Sequence, residues 1–265
     1  MEICSIASGS SGNCIYIASE QSRILIDVGI SGKRIKDGLA SIGVCPEELT
    51  GILITHEHSD HIQGLGVMSR KYNLPIFSTK GTIDGILQTS SIGKVDPSLF
   101  HEIEYERDFW VGDLEMHPFQ ISHDAMEPVA YVARHDGKSI GIATDMGVYD
   151  ENIVRNLSGL DALLLEANHD VNMLQVGAYP YYLKRRILGD KGHLSNENSG
   201  RLLSRILHDD CKCILLGHLS KENNMEELAY ETVRQEITMS DCCYCGNDFP
   251  IYVAKRDEVS EKYII

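Results

Sequence analysis

Positive charge is scarce in this chain. Its 265 residues carry 24 Lys and Arg against 39 Asp and Glu, a formal net charge of −15. That balance argues against broad electrostatic adhesion to a polyanion, because a phosphate backbone is held mainly by cationic side chains. It does not exclude chemistry at a phosphate, since divalent ions supply local positive charge that side chains do not. Long hydrophobic runs are missing as well. No stretch approaches the ~18 consecutive apolar residues of a membrane-crossing helix. The first residues, MEICSIASGSSGN, lack the basic stretch and apolar core of a secretory signal, so a cytoplasmic protein is expected. No low-complexity or Pro/Ser-rich linker interrupts the chain, and a single domain over residues 1–265 is the economical reading. A disulfide framework is not expected in such a chain, although eight cysteines are present. Cys242, Cys243 and Cys245 crowd into CCYCG, and Cys211 and Cys213 form a CxC. Only half of a CxxC…CxxC pattern is there, so ordinary thiols are expected rather than a structural zinc site, and the role of residues 240–265 stays open.

What is present is an alternation of short apolar runs and helical patterns. MEICSIA, NCIYIA and RILIDVG read as three successive strands, SGKRIKDGLASIG as a helix, and TGILITH as a buried strand. HIQGLGVMSRKY reads as one helix. The middle of the chain is strand-rich, with HDGK as a hairpin turn, and helix–strand–helix units follow. Two sheets packed together with helices on their outer faces accommodate this order.

The chemistry concentrates in THEHSDH, residues 55–61. His56, His58, Asp60 and His61 fall within six positions at the end of an apolar strand. Residues two apart at a strand end point the same way, so His56 and His58 can share one metal ion. Asp60 and His61 begin the following helix and can turn to a second. Nitrogen and oxygen donors suit zinc, manganese or iron. His123 in QISHD and Asp145 in IATDMG each follow an apolar strand and open a polar turn; residues alone leave each as either a ligand or a turn residue.

HxHxDH after an apolar strand resembles the first metal motif of the metallo-β-lactamase-fold superfamily. ASGSSGNC, ILIDVG, ISHDAMEPVAY, IATDMG, LLLEANHD, KRRILGDKGHLSNE and GHLSKENN, in order over residues 4–230, resemble the YycJ/WalJ-like group within it. The resemblance implies an α/β fold, a four-layer αββα sandwich of two mixed sheets with helices outside. It implies that His123 completes a first metal with His56 and His58, and that Asp145 bridges both ions. It also implies a phosphodiesterase, a DNA exonuclease directed to the 5′ end, using hydroxide held between two divalent metals. The alternative is a metallohydrolase of a small substrate: a cyclic phosphodiester, thioester or lactam. No nucleotide cofactor and no membrane partner are expected.

GHLS occurs twice, at residues 192–195 and 217–220, in unlike contexts. His218 closes the apolar run CILLG and is expected to complete the second metal with Asp60 and His61. His193 follows a polar turn and precedes Ser195, a good helix N-cap; it is expected to act on the leaving oxygen as a general acid rather than as a ligand. Asp27 is expected to accept a hydrogen bond from a ligand histidine and fix its tautomer. Ser8, Ser10, Ser11 and Asn13 offer either phosphate contacts or a plain hairpin loop. By resemblance Asn168 and His169 line the site. Lys221 lies close enough in sequence to touch substrate, and Lys184, Arg185 and Arg186 form the only compact basic run, a phosphate contact or a solvated helix face. His101, His117, His135 and His208 carry no motif.

Overall fold

The computed structural model describes residues 1–265. The strands are β1 (Glu2–Ala7), β2 (Cys14–Ala18), β3 (Arg23–Ile26), β4 (Gly51–Leu53), β5 (Ile76–Thr79), β6 (Phe100–Ile103), β7 (Phe109–Val111), β8 (Leu114–Gln120), β9 (Val129–His135), β10 (Lys138–Ala143), β11 (Ala162–Glu166), β12 (Cys213–Gly217), β13 (Ile251–Val253) and β14 (Tyr263–Ile264). The helices are α1 (Gly32–Ser41), α2 (Ser59–Ile62), α3 (Leu65–Tyr72), α4 (Lys80–Gln88), α5 (Glu151–Leu157), α6 (Val171–Val176), α7 (Tyr181–Ile187), α8 (Asn196–Ile206) and α9 (Glu226–Met239).

Two seven-stranded sheets result, ordered β14-β1-β2-β3-β4-β5-β6 and β13-β12-β11-β10-β9-β8-β7. Each has an antiparallel half, β14 to β3 and β7 to β10, and a parallel half, β3 to β6 and β10 to β13. Parallel strands need long crossovers, and the helices supply them. The period-2 rule assigns faces. Ile24 and Ile26 of β3 meet Met116, Tyr131, Ile140, Leu164 and Leu215 between the sheets. Leu25 points the other way, toward Ile35 and Leu39 of α1 and Met68 of α3. On the second sheet Ile214 and Leu216 pack outward against Leu202 and Leu203 of α8 and Val233 of α9. Both faces of the central strands are buried, which is why they read as continuous apolar runs. The layers are helix, sheet, sheet, helix: the expected αββα sandwich.

Three details differ from the sequence reading. HIQGLGVMSRKY is not one helix. It breaks into α2 and α3 at Gly64, whose absent Cβ would lie 2.3 Å from the Ile30 carbonyl oxygen; the backbone there is pressed against a neighbouring loop that only glycine admits. Residues 171–176 add a short helix, α6. The C-terminal segment around CCYCG carries β13 and β14, one in each sheet. All eight cysteines are free thiols, and none joins a cluster of metal-binding groups.

Candidate metal centre

The site lies where strands of both sheets end. Beyond β4 the chain continues through Ile54 and Thr55 to His56, and β3, β10, β11 and β12 end on the same side at Asp27, Asp145, Glu166 and His218. Three of these residues hold left-handed backbone: Asp27 at φ 59°, Asp145 at φ 61° and His218 at φ 56°. A non-glycine residue pays roughly 1–2 kcal/mol for this conformation. Here local bonds offset it: the Asp27 N–H donates to Leu53 O at 2.8 Å, and the His218 N–H to Ser8 Oγ at 2.8 Å. The turn re-aims each side chain from the sheet into one shared space.

Hydrogen bonds fix the imidazole tautomers. Asp27 accepts from the Thr55 N–H and hydroxyl, both at 2.9 Å, and from His61 Nδ1 at 2.7 Å. With its own proton given to Asp27, the Thr55 hydroxyl accepts from His56 Nδ1 at 3.0 Å. His123 Nδ1 donates to the Gly192 carbonyl at 3.2 Å, and His218 Nδ1 to Glu166 Oε1 at 3.0 Å. His56, His61, His123 and His218 therefore all turn Nε2 inward. His58 is turned the other way, its Nδ1 lying 3.2 Å from His123 Nε2.

Donor atoms gather in four overlapping sets, each within 4.8 Å: His56, His58 and His123; Asp60, His61 and His218; His56, His61 and Asp145; and Asp145, Glu166, His193 and His218. Asp145 lies between the first two. Its Oδ1 is 3.8 Å from His123 Nε2 and 3.5 Å from His218 Nε2, and its Oδ2 is 3.2 Å from His61 Nε2. His56 Nε2, His218 Nε2 and Asp145 Oδ2 are buried without any hydrogen-bond partner. A buried polar atom left unpaired costs about 1–3 kcal/mol. Three of them aimed at one space fit divalent cations, which satisfy such lone pairs. The sequence-expected ligands are thus brought together as a set.

Electrostatics reinforce this. Burial, then the charge of His61, holds His56 well below the ordinary histidine range, and burial likewise lowers His123. Burial opposes charge on His61 and His218 too, but carboxylates outweigh it: Asp27, Asp145 and Asp60 raise His61 well above its usual value, and Asp145, Asp60 and Glu166 push His218 up to about 10. The same pairing, against burial, drives Asp145 well below the carboxylate range.

Glu166 is the residue that sequence reading missed. It is fully buried at the end of β11. Oε1 accepts from His193 Nδ1 at 2.7 Å as well as from His218, and Oε2 from the Met146 and Leu194 N–H groups. Burial opposes its charge, yet His193 and these donors bring its pKa to about 2. A lone glutamate closing the apolar run ALLL was the available signal. His193 belongs to neither histidine triad, is partly exposed, and keeps Nε2 free while Glu166 holds Nδ1.

Other expected contacts are redistributed. Ser8 and Asn168, read as substrate contacts, are instead 0% and 3% exposed and hold the His218 backbone, Ser8 through the N–H and Asn168 Nδ2 through the carbonyl at 2.9 Å. Asn13 is buried, accepts the Gly9 N–H at 3.0 Å and places Nδ2 3.1 Å from His61 Nε2. His169 is buried beside Asn168 with Nε2 unpartnered, and burial lowers its pKa to about 4. Ser10 and Ser11 do face solvent, in a cleft shared with Ser59 and Asp60. Lys221 lines another cleft with Glu226, Glu227 and Arg256. A third cleft opens beside His123, walled by Met126, Val148 and Lys191.

A family described as the beta-lactamase superfamily domain matches residues 22–209. Exodeoxyribonuclease WalJ of Streptococcus pneumoniae serotype 2 is 42% identical over 252 residues, 95% of this chain and 93% of the relative. The chain belongs to the WalJ/YycJ group of the beta-lactamase superfamily. Exodeoxyribonuclease YycJ of Bacillus anthracis, from the same group, is 38% identical over 87% of this chain and 86% of its own. The superfamily fold recurs in Zn(2+)-bound PqqB from Methylobacterium extorquens, with a TM-score of 0.73 at 14% identity and full coverage of both chains. Membership agrees with the donor clusters: these residues suit divalent metal ions, and the enzyme is a metal-dependent hydrolase. No helix is long and apolar enough to cross a membrane.

Proposed function

We propose that this protein is a dinuclear metal-dependent exodeoxyribonuclease that removes nucleotides from the 5′ end of DNA, working as one domain over residues 1–265. The observation that carries the reading is the division of labour in the site. Two triads, His56–His58–His123 and Asp60–His61–His218, flank Asp145, and the hydrogen-bonded His193–Glu166 pair adjoins Asp145 and His218 with His193 partly exposed. The names of the 42% and 38% identical relatives support DNA as the substrate.

Divalent ions held by these seven residues would supply Lewis acidity to the phosphate oxygens and lower the pKa of bound water. The chain's own residues do the rest. Asp27 and Glu166 fix the ring orientation of His61 and His218. His193 Nε2 gives its proton to the departing oxygen, while Glu166 stabilises the imidazolium and keeps the proton on Nδ1. The buried left-handed turns at Asp145 and His218 hold the donors fixed, so little reorganisation accompanies the reaction.

The test is incubation of the manganese-loaded protein with end-labelled single- and double-stranded DNA. Progressive shortening from the 5′ end is expected. Asp145→Ala should abolish it while circular dichroism stays native. His193→Ala should slow turnover roughly 10²–10⁴-fold with metal content unchanged. Full activity of Asp145→Ala would overturn the mechanism. A protein shown to hold two metals that cleaves a small phosphodiester but not DNA would favour the second reading, which the net charge of −15 supports.

A further inference from the structure

α6 and α7 fill the crossover between Glu166 and His193, and the stretch is chemically unlike the rest of the molecule. Residues 171–192 hold four cations, Lys184, Arg185, Arg186 and Lys191, against one anion, Asp190, in a chain of net charge −15. They also expose apolar surface. Val176 is 86% exposed, Tyr181 76% and Tyr182 75%.

The segment is fastened to the metal centre. Arg186 Nε and Nη2 bind the Asp124 carboxylate at 2.5 and 3.0 Å, and that carboxylate lies 3.5 Å from His123 Nε2 and 4.0 Å from His58 Nε2. Ser122 Oγ donates to the Asp190 carbonyl at 2.8 Å. Gly147 packs so closely that a Cβ there would lie 2.4 Å from the Asp190 carbonyl carbon and oxygen. The helix is thus fixed at the rim while its tyrosines point to solvent. Tyr181 and Arg185, and Tyr182 and Arg186, are four apart and share a face. Arg186 is neutralised by Asp124; Arg185 is exposed and makes no ion pair.

We propose that α7 is the platform that grips a single-stranded DNA end as it enters the metal centre, with bases stacked on Tyr181 and Tyr182 and backbone phosphate held by Arg185. This rests on the exonuclease reading above. Every base has a π-face, so stacking on tyrosine is tolerant of sequence, as an enzyme that shortens a strand one nucleotide at a time requires. A local cationic face also answers the acidic charge of the whole, because it concentrates the attraction where the strand must pass.

The experiment measures binding of the manganese-loaded protein to a fluorescent, cleavage-resistant phosphorothioate oligonucleotide, and cleavage of the unmodified strand. The variants are Tyr181→Ala/Tyr182→Ala, Tyr181→Phe/Tyr182→Phe and Arg185→Ala. The alanine pair should weaken binding and raise KM roughly tenfold or more, and the phenylalanine pair should retain both. Arg185→Ala should flatten the plot of log affinity against log salt by about 0.7. Hydrolysis of bis(p-nitrophenyl) phosphate, which carries no nucleobase to stack on a tyrosine, reports that each variant's metal centre is intact. Wild-type affinity in the alanine pair overturns the platform and leaves the exonuclease reading standing. So does a wild-type dimer that the alanine pair converts to monomer, because the face then belongs to a second copy. Tyrosine-dependent binding by a wild type that fails to shorten DNA upholds the platform and overturns the exonuclease reading.

Discussion

Glu166 shows how much one unremarked side chain can govern. A single oxygen accepts from both His193 and His218, so it sets the tautomer of an expected ligand and of the expected acid together. Glu166→Gln offers one amide oxygen where a carboxylate stood, and removes the charge that favours imidazolium. Activity or metal affinity should fall roughly 10–100-fold, checked by metal analysis alongside turnover. The ligand histidines carry a pH prediction. Carboxylates raise His61 and His218, His218 up to about 10, whereas burial lowers His56 and His123. A metal must displace the raised protons, so affinity should strengthen as pH rises toward about 10 and weaken as it falls, roughly tenfold per pH unit for each proton displaced. Calorimetry in buffers of different ionisation enthalpy counts those protons; no release would contradict the arrangement. The expected ligands drew attention in two ways: His56, His58, Asp60 and His61 crowd into one short stretch after an apolar strand, whereas only the family resemblance set His123 and Asp145 apart from ordinary turn residues. Glu166 was not legible, because one glutamate after a strand has no spacing partner, and its two clients lie 27 and 52 residues further along. The backbone contacts of Ser8 and Asn168 were hidden for a related reason: polar residues in a loop give no sign of whether they face solvent or a neighbour's backbone.

At the scale of elements, strands β1 to β12 and most helices were readable from pattern, since buried parallel strands announce themselves as apolar runs, whereas β13 and β14 were not read. The failures fall where tertiary contact overrides local pattern. Nothing in HIQGLGVMSRKY signals the break at Gly64, which a carbonyl from residue 30 imposes. Gly29 is a sharper case. A Cβ there would lie 1.6 Å from the Asp60 carbonyl oxygen, and that oxygen also accepts the Asn13 N–H at 2.8 Å. Gly29→Ala must push the Asp60 turn away. A stability loss on the order of 3 kcal/mol is expected, together with selective weakening of the Asp60–His61–His218 metal, read by thermal melting and by metal stoichiometry falling toward one.

Across the whole molecule, the acidic surface and the expected DNA substrate pull in opposite directions, and their resolution is measurable. Chelation should abolish cleavage, with manganese restoring it. Activity at subsaturating DNA should fall with salt, by about 0.7 in log–log slope for each phosphate that a cation holds; a salt-independent rate would instead point to a small substrate. Each triad draws two donors from the loop after β4, in the first sheet, and one from the second sheet, His123 or His218. An ion bound there is a rivet between halves that otherwise meet mainly through apolar side chains. At a thousandfold excess over its dissociation constant each ion adds about 4 kcal/mol against unfolding. Starved of metal, the protein should lose that restraint at the seam and open more often, so its abundance in a cell should track the supply of that ion.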